Sequence, residues 1–288
     1  MAVQADSKPL PQADQRLALR RLLPAGEPAA AAEIVERLGL WERSSSPPQR
    51  PRVLLNMVST VDGRATLGGR SGPISDRADR ELFHGLRAAV DAVLVGAGTV
   101  RMERYGRIIR DESTRRLRRE RGLAAEPLAC VVSGRLALDP EIPLLAEPEA
   151  RVVIVTSSEA SLPDAAAQID YVRAREQGRL DLSAALAELS GRLGVQSLLC
   201  EGGPHLALEL LAAGLVDELF LSVSPRLAGG EAASGEALRI LAGPELEPPL
   251  ELELLGVLEC HSHLFLRYGV SAGVSAGRSG AVADRVSG

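Results

Sequence analysis

Ser197-Leu198-Leu199-Cys200-Glu201-Gly202-Gly203-Pro204 is the stretch on which the fold turns. Residues 197–200 read as a short buried strand, with Glu201 at its carboxyl end. Two glycines permit positive φ and a close approach of the backbone to a ligand. Pro204 suits the first position of a helix, where its missing N–H is no loss. A strand passing through a glycine loop into a helix is the unit of a parallel sheet covered on both faces. The loop offers free backbone N–H groups at the positive end of a helix, a seat for phosphate. Ligands also gather at the carboxyl ends of strands in open α/β sheets. An ordinary strand-to-helix turn fits the same residues equally well.

A second loop of this kind follows the strand Asp91 to Val95: Gly96-Ala97-Gly98-Thr99. The third glycine of a dinucleotide fingerprint would fall at 101, where Arg101 stands, so the full Rossmann pattern fails. Alone this is a tight turn; with the loop at 201–204 it suggests a dinucleotide cleft between two strand ends. Further strands are read at Val53–Val58, Leu128–Val132, Val152–Thr156 and Asp217–Val223. Helices are read at Leu182–Leu193, at Pro204–Ala213, and after Ser75, which is expected to cap a helix carrying Leu82, Phe83, Leu86 and Val90 on one face. Leu254–Tyr268 is long enough for a hairpin or a bent strand. The expected architecture is α/β: a mostly parallel central sheet with an antiparallel C-terminal edge.

Outside this body, residues 1–50 read as an N-terminal extension with a short helix around Ala29–Leu40 and a Ser/Pro linker at 44–48. Residues 51–270 form the main domain, and 271–288, rich in Ser, Gly and Ala, a disordered tail. The 33 basic and 38 acidic residues, net −5, argue against a nucleic-acid partner. Three dispersed cysteines give neither a disulfide framework nor a zinc pattern, so no metal is expected. No apolar run approaches the ~20 residues that span a bilayer, and the first residues lack a signal-peptide segment. A cytoplasmic protein with no membrane partner is expected.

Asp62, beside Gly63, is either a turn former or a ligand-facing acid, with the turn favoured locally. Arg80, His84 and Arg87 share a helix as a solvated face or as phosphate partners. The arginine-dense run Arg115–Arg121 reads as solvated. His261 and His263, alternating on one side of a strand, read as structural.

Five motifs occur in order: Ser59-Thr60-Val61-Asp62-Gly63; Gly72-Pro73-Ile74-Ser75 with Leu86-Arg87; Asp91 to Val100; Glu201-Gly202-Gly203-Pro204; and Leu215-Val216-Asp217-Glu218-Leu219. Together, over roughly residues 50–270, they resemble the reductase domain of the riboflavin-biosynthesis deaminase/reductase family. The resemblance implies a dihydrofolate-reductase-like three-layer fold and a homodimer. It implies NADPH-dependent reduction of 5-amino-6-(5-phosphoribosylamino)uracil or a related phosphoribosyl-pyrimidine, converting ribosyl to ribityl. By the same resemblance Asn56, Ser71, Arg87, Glu103 and Glu201 contact substrate, Arg87 at the 5′-phosphate. Met57, Ser59, Gly96, Gly98, Thr99, Ser133, Gly202, Gly203, Pro204, His205 and Leu206 contact the cofactor. Glu201 and Asp62 are the catalytic candidates, orienting ribose hydroxyls or relaying a proton. The family's deaminase zinc signature, His-x-Glu with Pro-Cys-x-x-Cys, does not occur, so a stand-alone reductase is expected. Two substrate-side departures stand out: Arg101 to Gly106 replaces an Asp-Asp-Pro-x-Leu segment, and Pro73 replaces an aromatic residue. They keep open a dihydrofolate or pteridine reductase on the same fold, and a non-catalytic nucleotide-binding protein.

Overall fold

The structure, a computed structural model, describes residues 17–46, 48–230 and 238–270. In chain order its elements are β1 (Leu19–Leu23), β2 (Ala25–Ala29), α1 (Ala31–Glu36), β3 (Arg52–Thr60), α2 (Arg77–Ala89), β4 (Ala92–Gly96), α3 (Ala97–Glu103), α4 (Glu112–Glu120), β5 (Leu128–Val132), β6 (Arg151–Thr156), β7 (Gln168–Arg173), the short pair β8 (Arg175–Glu176) and β9 (Arg179–Leu180), α5 (Leu182–Leu193), β10 (Ser197–Cys200), α6 (Pro204–Ala212), β11 (Glu218–Ser224), β12 (Leu252–Cys260) and β13 (His263–Val270).

Eleven strands form one sheet in the order β2-β1-β12-β13-β11-β3-β10-β4-β5-β6-β7. From β11 to β7 all neighbours are parallel; β13, β12, β1 and β2 add antiparallel pairings at one edge. Alternation along the central strands divides the core into two layers. Leu54, Val93, Val95, Val131 and Ile154 pack under α1, α2 and α3. Val53, Leu55, Leu94, Val153 and Val155 pack under α5 and α6. The three-layer arrangement follows from strands that are apolar on both faces.

The antiparallel edge differs in detail from expectation. Leu254–Tyr268 resolves into the hairpin β12–β13, turning at His261 and Ser262 with φ of 50° and 67°. His261 therefore lies in the turn and only His263 in a strand, where it is buried with Nδ1 3.3 Å from an Asp76 oxygen. Helix α2 is capped by Asp76 rather than Ser75: the Asp76 carboxylate accepts from the Asp79 N–H at 2.8 Å. Ser75 instead donates its hydroxyl to the Asp76 carbonyl at 3.3 Å.

The short N-terminal helix forms as α1, ending before Gly39 at φ 65°. It packs on α2 where Gly85 leaves room, since a Cβ there would sit 3.0 Å from a Val35 methyl. The preceding hairpin β1–β2 lacks the alternation that marks a strand; pairing of Arg20, Arg21 and Leu23 with β12 stabilises it. Residues 19–29 thus complete the sheet. The tail 271–288 lies outside the described residues.

Arg118, read as solvated, is 1% exposed. Its guanidinium donates to the carbonyls of Ala88 (2.7 Å), Val90 (2.8 Å) and Ala124 (2.8 Å), sealing the C-terminal turn of α2. Burial pulls its pKa down to about 10, which leaves it charged at neutral pH. Arg116 and Arg119, on the same helix, are exposed as expected. Among the described residues no helix is long and apolar enough to cross a membrane.

Candidate active site

The two glycine loops meet. Strands β10 and β4 are parallel neighbours, so their carboxyl ends emerge side by side. The Gly96 N–H donates to the Gly202 carbonyl at 2.7 Å. A Cβ on Gly96 would lie 3.5 Å from the Gly203 nitrogen, and one on Gly203 would lie 2.8 Å from Thr99 Oγ1. Gly203 is the N-cap of α6, has no side-chain cap, and is followed by Pro204. The N–H groups of that first turn therefore lack a side-chain partner, at the positive end of the helix.

These loops border a cleft of about 810 Å³, within the roughly 300–1,000 Å³ of ligand sites. From the loops come Gly96, Gly98, Thr99, Gly203, Pro204, His205 and Leu206; β3 adds Asn56 and Met57. Ser71, Arg80, Phe83, His84, Glu103, Tyr105 and Glu201 also line it. Small residues stand where the two loops converge, beside N–H groups without a side-chain cap, an arrangement that suits a phosphate. Gly203→Val is expected to drive a branched side chain into Thr99 and weaken dinucleotide affinity by about tenfold or more. Fluorescence titration with NADPH checks this.

Glu201 is held from two directions. Arg87, one helical turn beyond Phe83 on α2, donates Nε to Glu201 Oε1 and Nη2 to Oε2, both at 2.7 Å. The Tyr105 hydroxyl donates to Oε2 at 2.5 Å. The Arg87 guanidinium also lies 4.2 Å from the Phe83 ring centre and 5.5 Å from that of Tyr105. Burial alone would lower the Arg87 pKa, but the Glu201 charge and hydrogen bonds outweigh it and hold it above its ordinary value. Burial, reinforced by the Glu201 charge, pushes the Tyr105 phenol well above its usual range. Burial, then the Arg87 charge, lowers His84. Beside this group, Glu103 Oε1 accepts from the Ser71 N–H at 2.8 Å and its hydroxyl at 2.9 Å.

Several expected residues stand elsewhere. Arg87 is not part of the cleft lining and spends its fork on Glu201. Asp62 is also outside the lining: its carboxylate accepts from Thr60 Oγ1 (2.5 Å) and the N–H groups of Gly229 (2.6 Å) and Ala228 (3.1 Å). These bonds hold its pKa at about 2, led by the Thr60 hydroxyl, in the manner of a turn former. Ser59 and Ser133 are buried away from the cleft, where their neighbours Val58 and Val132 appear instead. Gly202 contributes its carbonyl to Gly96 rather than a surface to the cleft. Tyr105 went unanticipated. It follows Arg104, left-handed at φ 49°, which ends α3; only the departure of Arg101–Gly106 from the family pattern marked this segment.

The pattern of the RibD C-terminal domain matches residues 51–265. The 2,5-diamino-6-ribosylamino-4(3H)-pyrimidinone 5′-phosphate reductase of Methanothermobacter thermautotrophicus is 29% identical over 230 residues, 77% of this chain and 99% of that protein. The protein of the same name from Archaeoglobus fulgidus is 32% identical over 187 residues, 63% of this chain and 83% of that protein. A pyrimidine reductase-like protein from Corynebacterium diphtheriae has a solved structure similar at TM-score 0.66 and 22% identity, covering 84% of this chain and 99% of that one. The fold is accordingly the dihydrofolate-reductase-like one, and with three quarters of its length matched, the chain belongs to the RibD C-terminal domain family.

Proposed function

We propose that this protein is an NADPH-dependent reductase of a phosphoribosylaminopyrimidine, converting its ribosyl group to ribityl. The observation that carries the reading is the Gly96–Gly202 contact, which merges two glycine loops into one cleft with Glu201 in its wall. The relatives matched over most of their own length are named for the diaminopyrimidinone phosphate, which we take as the preferred substrate over its deaminated counterpart.

The chain fits a reduced dinucleotide: Gly96, Gly98 and Gly203 leave room for the backbone to touch it, and the first turn of α6 faces its pyrophosphate. Bound there, the reduced nicotinamide supplies the hydride for the anomeric carbon of the ring-opened sugar. The protein's own part is position and field. Glu201, oriented by Arg87, accepts a hydrogen bond from a substrate donor. The Ser71–Glu103 pair fixes the neighbouring wall. With Arg87 committed, Arg80, a cleft-lining cation of α2 with no carboxylate partner among the described residues, takes the phosphate.

The test mixes purified protein and NADPH with the diaminopyrimidinone phosphate, with the deaminated uracil, or with dihydrofolate. Loss of nicotinamide absorbance is expected with the pyrimidines, fastest with the first, and not with dihydrofolate. Turnover of dihydrofolate alone, or tight NADPH binding with no turnover of any of them, overturns the assignment.

A homodimer is also proposed. Leu22, Leu23, Leu252, Leu254 and Leu264 are exposed large apolar residues concentrated on the antiparallel edge strands, a surface a second copy would cover. Light scattering is expected to give twice the chain mass.

A further inference from the structure

We propose that Tyr105 is a positioning residue which, together with Arg87, occupies three of the acceptor positions of the Glu201 carboxylate and reserves a single one, on Oε1, for a donor in the cleft. The proposal rests on the reductase reading of the same site.

An ionised carboxylate has about four lone-pair positions. Arg87 Nε fills one on Oε1, and Arg87 Nη2 and the Tyr105 hydroxyl fill both on Oε2. The Glu201 side chain is 4% exposed yet belongs to the cleft wall, so what remains of it for substrate is one atom and one direction. The bidentate guanidinium fixes the plane of the carboxylate; the phenol decides which oxygen is left open. Without it, both oxygens have a free position and a substrate donor has two registers to choose from. Positioning of this kind sets whether the reacting carbon meets the hydride, where an ångström of error is costly.

Tyr105 is built for the task. Its N–H donates to the Val100 carbonyl at 3.1 Å and its carbonyl accepts from the Leu144 N–H at 2.8 Å. The ring packs beneath the Arg87 guanidinium. Burial, reinforced by the Glu201 charge, holds the phenol well above its usual range, so it is a donor at neutral pH. It lies just beyond α3, the helix that carries Gly98 and Thr99, which ties the carboxylate's orientation to the cofactor-side loop.

Tyr105→Phe removes one oxygen and keeps the ring. The expected result is a fall in kcat of about tenfold or more with NADPH affinity and melting temperature close to wild type. A purely structural role would lower all three together. A spectrophotometric titration supplies a measurement independent of turnover. Of the chain's three tyrosines, one is expected to resist ionisation until the protein unfolds, and that resistant signal to vanish in Tyr105→Phe. Wild-type kcat in Tyr105→Phe, or a freely titrating Tyr105, overturns this proposal alone. A wild-type protein inactive on both pyrimidines overturns the reductase reading and this proposal with it.

Discussion

Glu201→Gln is expected to lower kcat by about 10²-fold or more while leaving NADPH affinity near wild type. The amide matches the carboxylate in size, so the cleft keeps its shape, but it cannot accept both Arg87 donors and the Tyr105 hydroxyl together. The substitution also strands a buried guanidinium without its anion, and breaking such a pair from one side costs about 3–5 kcal/mol. Lost turnover therefore has to be separated from lost fold. Joining Arg87→Met to Glu201→Gln removes the stranded charge. Stability is expected to recover in the double variant while turnover stays low, a non-additive cycle readable by melting and steady-state rates. Equal turnover in wild type and Glu201→Gln would remove the carboxylate from the reaction.

The second large effect is on stability. Arg118→Met keeps an unbranched apolar stem but withdraws every donor from the carbonyls of Ala88, Val90 and Ala124. Leaving buried acceptors unsatisfied costs about 1–3 kcal/mol each where nothing replaces the donor. A net loss of about 3 kcal/mol is expected, seen as a lower urea midpoint with an unchanged slope. Arg116→Met, on the exposed face of the same helix, is expected to stay within about 0.5 kcal/mol. A neutral Arg118→Met would mean that water or backbone shifts satisfy those carbonyls unaided. The loss matters for the site because the capped turn belongs to the helix that presents Arg87.

What was legible in the residues and what was not divide along sequence separation. Strands such as Val152–Thr156 and Ser197–Cys200 announce themselves, because short apolar runs bounded by turn-forming residues have few other uses. The glycine loops were equally plain, since turn and phosphate cradle both need residues without a Cβ. The Arg87–Glu201 pair joins positions 114 apart, and no local pattern reveals that the arginine meets the glutamate. Arg118 misled for a similar reason: its acceptors are backbone carbonyls, which every residue possesses. The strands at Leu19–Leu23 and Ala25–Ala29 depend on an edge supplied by residues near 257, more than 200 positions downstream. Asp62 was ambiguous because a turn former and an acid are the same side chain; the Ala228 and Gly229 N–H groups that it accepts from lie more than 160 positions away.

The hairpin at residues 19–29 bears on how this protein should be cut. Shortening the chain to the span its relatives share, 51–265, would strip β1 from β12 and α1 from α2, and would end inside β13. The nine residues of β12 would then offer a bare row of amides and carbonyls to any passing strand, a template for stacking between molecules. Insolubility of such a fragment would speak of an unsealed margin and not of a failed reductase.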